Sequence, residues 1–163
     1  MKQLFTTHKL RTFTRNERGG ALAELAILIP FLILMVAAVT ELGRLFQTYD
    51  TLSKSTRTAC RYLTTVTYTP QNIQNTKNMT VCGKTNCTGV APLVAGLTTD
   101  NVDVIPEGDA GNPIRVTVSI KDYNFVPIFN LAGMFKIDSF AAMPVRPSTT
   151  MYYWQVDPGG GKG

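Results

Sequence analysis

The sequence predicts an α+β chain: one long N-terminal helix, membrane-spanning in its first half and amphipathic in its second, packed on a small antiparallel sheet. Three observations carry that expectation. Leu25 to Val39 runs without a charged or strongly polar side chain. Leu42, Leu45, Tyr49, Leu52, Thr56, Ala59, Leu63 and Val66 then follow one another in alternating steps of three and four. Ile114, Val116, Val118 and Ile120 alternate with Arg115, Thr117, Ser119 and Lys121, the period of a half-buried strand. With 163 residues, 44% hydrophobic and 17% charged, the chain has the length of one domain and too few charges to be a disordered tail.

The basic character is concentrated at the start. The formal net charge is +5. Lys2, Lys9, Arg11, Arg15 and Arg18 against Glu17 give residues 1–19 a charge of +4, which leaves +1 for the remainder. That is an N-terminal flag, so no specific nucleic acid is expected as a partner. Residues 20–40 follow as the expected transmembrane helix, with Glu24 its one charge. At roughly 1.5 Å per helical residue they reach about 30 Å, one bilayer core. The preceding cations keep residues 1–19 in the cytoplasm and send the rest of the chain across. A carboxylate in lipid costs about 2.5–3.5 kcal/mol, so Glu24 needs a partner, a task or an interface to snorkel to. Pro30 removes one helical hydrogen bond, which membrane helices tolerate with a local kink.

Arg18-Gly19-Gly20-Ala21-Leu22-Ala23-Glu24-Leu25-Ala26, then Pro30, then Glu41-Leu42-Gly43-Arg44 resembles a TadE-like minor pseudopilin of the tight adherence (Tad/Flp) pilus system, within the type IV pilin-like group. The similarity extends through Thr58-Ala59-Cys60-Arg61, where the family usually carries a small residue at the Cys60 position. Ala23 and Leu25 stand where valine and phenylalanine are commoner beside the glutamate. The resemblance implies a precursor cut by a prepilin peptidase after Gly19, which makes Gly20 residue +1 and Glu24 residue +5. A cut after Gly20 would make Glu24 residue +4. It also implies that Glu24 meets the new Gly20 amine of a neighbouring subunit. The partners it implies are the peptidase, other pilin or pseudopilin subunits, the inner-membrane assembly platform and the bilayer. The implied function is structural: assembly of a pilus used in adhesion or secretion. The implied location is a bacterial inner membrane, with the head in the periplasm or outside the cell. An ordinary signal sequence cut near Ala38, releasing a binding module, is the alternative. A major shaft pilin with an enlarged head is a second.

Residues 41–69 are expected to continue the helix as its amphipathic half. Gln47, Asp50, Lys54, Arg57 and Arg61 fall opposite the apolar stripe, and Pro70 with the polar run 71–78 is expected to end it. Residues 70–156 are expected to form the exported sheet head. If the head is exported, a local Cys82–Cys87 disulfide is expected. A metal site is the alternative, but two more ligands would be needed, and the chain's single histidine, His8, lies in the leader. Cys60 is left over as a small buried thiol.

Val102 and Val104 flank Asp103 in a short alternating run, and 106–113 is a turn cluster. The segment 123–133 reads as an apolar loop with room for a helical turn, and 136–145 as a third strand, on an edge because of Pro144 and Pro147. The glycine-rich 157–163 reads as a flexible tail. Beyond the leader there is no histidine for a Ser-His-Asp or Cys-His arrangement, and the acids show no paired spacing. No cofactor, no metal and no enzymatic activity are expected. Asn78-Met79-Thr80 and Asn86-Cys87-Thr88 match the N-glycosylation pattern, which the pilin-like start makes irrelevant.

Overall fold

The computed structural model describes residues 17–109, 112–129 and 143–153. Leader residues 1–16, most of the expected strand 136–145 and the expected tail 157–163 lie outside that set. The chain divides into two units between Ala38 and Val39. α1, Glu17–Leu63, is a single helix that passes through Pro30 and belongs to both. In the first unit the described residues are helical, and the apolar side chains from Leu22 to Val36 are largely exposed. A water-soluble helix would turn one polar face outward; this one has none.

In the second unit, the head, α1 lays its C-terminal half on a three-stranded sheet. β1 (Val102–Asp109), β2 (Asn112–Ile120) and β5 (Ser148–Tyr152) pair antiparallel in the order β1-β2-β5. Val104 faces Val118, and Val116 faces Met151. Leu52, Thr56, Ala59 and Leu63 are fully buried, one helical face in steps of four, three and four. They meet Val102, Val116, Val118 and Ile120 from the sheet. Thr56 is tolerated there because its hydroxyl bonds the Ser53 carbonyl and lies 3.3 Å from the Thr149 hydroxyl of β5. Tyr153, just past β5, donates to the Val66 carbonyl and closes the far end of the layer.

Four details depart from the sequence-based expectation. The helix stops at Leu63, earlier than 69, and the Thr64 and Thr65 hydroxyls cap the carbonyls of Arg61 and Tyr62. Pro70 opens a second helix, α2 (Pro70–Cys82), where an ending was expected. Proline fits the first helical position because its missing N–H has no partner there anyway. Thr69 caps the turn by accepting from the Asn72 N–H, and Gly83, with φ of 75°, ends it by donating to the Met79 carbonyl. The third strand of the main sheet is β5, after Pro147. Met143–Pro144, the described end of the expected strand, is β4 and pairs instead with β3 (Asn124–Phe125) in a separate two-stranded ribbon.

Ile114 is 64% exposed although it keeps the parity of the buried Val116 and Val118. The register shifts between Glu107 and Gly108, so that Glu107 faces Arg115 while Gly108 faces Pro113. Ile114 is the extra residue of that bulge and drops out of the alternation. A Cβ on Gly108 would come within 3.1 Å of the Ile114 nitrogen, and φ there is +108°, so only glycine suits the position.

Cys82 and Cys87 are joined as a disulfide, with Cα atoms 5.8 Å apart. The bridge closes the loop that leaves α2. Cys60 is a free thiol, fully buried, whose Sγ donates to the Val116 carbonyl at 3.4 Å. Burial pushes its pKa above the ordinary thiol range. A raised value leaves less thiolate at any pH below it, and the thiolate is the nucleophile. Iodoacetamide at about pH 8 should therefore leave Cys60 unmodified in the native chain and alkylate it after denaturation, as read by intact mass.

Candidate functional site

Two places carry the residues that the sequence and the fold single out. The first is the start of α1. Gly19 and Gly20 are helical and exposed. Neither has a positive φ, and a Cβ on either would meet nothing within 4 Å. No backbone conformation and no close contact among the described residues therefore requires glycine at these positions. Each costs the helix roughly 1 kcal/mol relative to alanine. Glu24 lies little more than one turn on, exposed, with no ion pair or hydrogen bond among the described residues. Pro30 is exposed six residues further along. Leu25, Ile27, Leu28, Ile29, Phe31 and Leu32 surround them with apolar surface.

This segment is long and apolar enough to cross a membrane. Its chemistry is that of a lone anion on a greasy helix, preceded by two glycines that the helix itself does not need.

The second place is one that sequence reasoning missed. Glu41 is 7% exposed, a carboxylate buried where α1 leaves the apolar run. Its Oε1 accepts from the backbone N–H of Ile128 at 2.7 Å and of Phe129 at 2.9 Å. Its Oε2 accepts from Arg44 Nη1 at 2.9 Å. The Arg44 guanidinium in turn lies 5.2 Å from the centre of the Phe125 ring. Glu41 and Arg44 sit three apart and so share a helix face, which the sequence displays. The loop they hold is 87 residues away and leaves no local signal.

Beside this node, a cleft of about 330 Å³ is lined by Arg44, Gln47, Thr48 and Thr51 of α1 and by Tyr123 to Val126. Its polar groups include no nucleophile paired with a base. The described residues hold no cluster of three or more His, Cys, Asp or Glu able to bind a metal ion. Cys82 and Cys87, the other predicted pair, are brought together as a bridge rather than a ligand set.

No curated protein and no solved structure matches the chain. A family model does, and it begins at the first of the two glycines and ends in the last turn of α1: residues 19–61 match the family described as TadE-like protein.

Proposed function

We propose that the chain is a Tad pilus-associated, pilin-like subunit. A prepilin peptidase cuts it after Gly19, the segment 20–40 holds it in the inner membrane, and it then takes part in pilus assembly through Glu24. The coincidence of the family match with Gly19 and Glu24 carries this reading. Two glycines without a conformational or steric use in the helix are explained if an enzyme recognises them. A glutamate with no partner among the described residues is explained if the partner belongs to another subunit. Cleavage creates that partner, an α-amino group on Gly20 with a pKa of roughly 7.7–8.0, cationic at neutral pH. In low dielectric the ammonium and the carboxylate each need the other, and their pairing sets the axial stagger between subunits.

The head supports a structural role over a catalytic one, since the polar side chains of its cleft are threonines, a glutamine, an asparagine, a tyrosine and an ion-paired arginine. The chain after Thr40 is about three times as long as the part before it, which suits a low-copy minor subunit better than a thin shaft.

Intact-mass measurement of the chain from membranes of a piliated bacterium tests the reading. The expected product begins at Gly20. A product beginning near Val39 would make the chain a secreted module, and an uncut Met1 would make it a plain anchor. A change of Gly19 to a bulky residue should leave the precursor uncut.

A further inference from the structure

Three apolar side chains cluster on the loop that follows β3. Val126 is 68% exposed, Ile128 70% and Phe129 45%, with the half-buried Pro127 between them. Loops that present such groups to water usually do so loosely. This one is clamped: two successive N–H groups, those of Ile128 and Phe129, are held by one buried carboxylate oxygen. Glu41 gives one oxygen to two main-chain N–H groups and the other to Arg44, so the clamp serves the loop's position.

The position is informative. Glu41 is the first charged residue after the apolar run, directly following Thr40, where the segment 20–40 ends. The clamp therefore holds the loop level with the turn of α1 at which that segment ends. The polar groups of the node are satisfied among themselves: Glu41 by the two N–H groups and Arg44, and Arg44 by Glu41 and the Phe125 ring. What remains outward is hydrocarbon, with the partly exposed Arg44, its charge matched by Glu41, beside it. Apolar tips at the boundary of a membrane-spanning helix are matched to a lipid surface.

We infer that residues 126–129 form an interfacial foot, which buries Val126, Ile128 and Phe129 in the headgroup–acyl boundary of the bilayer that α1 crosses. The inference rests on the reading of 20–40 as a membrane span. Lipid is the occupant because the loop is bonded to Glu41, the residue that directly follows the segment 20–40 read as the span.

The test uses the full chain in phosphatidylcholine vesicles doped with lipids brominated near the glycerol end or near the acyl terminus. The single tryptophan, Trp154, is first replaced by phenylalanine. One tryptophan is then introduced at a time, as Phe129→Trp, Ile128→Trp, Ile33→Trp or Ile105→Trp. Position 33 reports on the span, and Ile105, 51% exposed on β1, on the rest of the head. Tryptophan at 129 and at 128 should lose about half or more of its emission to the shallow bromines and less to the deep ones. Position 33 should show the reverse order, and position 105 no quenching. Quenching at 33 without quenching at 128 and 129 overturns the foot and leaves the span standing. A blue-shifted but unquenched emission at 129 also overturns it, and assigns the patch to a second copy of the chain. No quenching at 33 removes the span, and the foot with it.

Discussion

Glu24→Ala is expected to insert into the membrane normally and to fail to enter filaments. Insertion should if anything improve, because the substitution removes a charge that costs about 2.5–3.5 kcal/mol in the hydrocarbon. Assembly should fail because the Gly20 amine of the neighbouring subunit would then be a cation in low dielectric with no counter-charge, the costly half of a broken pair. Glu24→Gln keeps the shape and the hydrogen-bonding oxygen but not the charge, and should fail nearly as fully. The measurement is the ratio of subunit in sheared filaments to subunit in membranes, with cleavage at Gly19 checked by mass in the same samples. Unchanged incorporation of the alanine variant would remove the pairing role.

The second large effect concerns the head. Glu41→Ala removes the acceptor of two backbone N–H groups and of Arg44 in one step. Hydrogen bonds to a charged group contribute about 1.5–3 kcal/mol each, and removing a partner exposes the full cost of those left behind. Arg44 is partly exposed and can turn to water. The expected loss is therefore about 3 kcal/mol in stability of the head, measured by urea unfolding of the detergent-solubilised chain. Glu41→Gln retains one acceptor oxygen for the loop and should lose about half as much. Hydrogen exchange gives the local signature: the Ile128 and Phe129 amides should lose protection in the alanine variant, while those of β2 keep theirs. Uniform loss across the sheet would make Glu41 a general packing residue instead.

Much of this arrangement is legible in the residues, for identifiable reasons. α1 is written twice, as an uninterrupted apolar run and as a stripe; Leu52, Ala59 and Leu63 of the stripe occupy the core, while Leu42 and Tyr49 of it are exposed. The alternation at 102–104 and 114–120 falls in β1 and β2, but 106–109 and 112–113, expected as a turn cluster, are paired strand residues. Two of the departures, α2 and β5, share a cause: burial carried in good part by threonines. α2 buries Thr76 and Thr80, whose hydroxyls bond the carbonyls four residues back, so its inner face reads as polar. β5 is Ser148-Thr149-Thr150-Met151-Tyr152, and only Thr149 and Met151 turn partly inward. Glu41 was visible as a charge at the end of the apolar run. Its role was not, because the groups that need it are main-chain amides, and any residue but proline supplies those.

The paired glycines at the head of α1 have a mechanical consequence. If the chain is cut after Gly19 as proposed, a peptidase that takes its substrate extended would have to undo the first turn of α1 before severing the leader. With Gly19 and Gly20 in place of alanines, that turn is about 2 kcal/mol easier to open. On that reading the weakness lies where leader and mature chain would part, and it does not extend into the leucine-rich helix beyond. Under the proposed processing the two glycines act as a perforation, placed so that the chain would tear at one line.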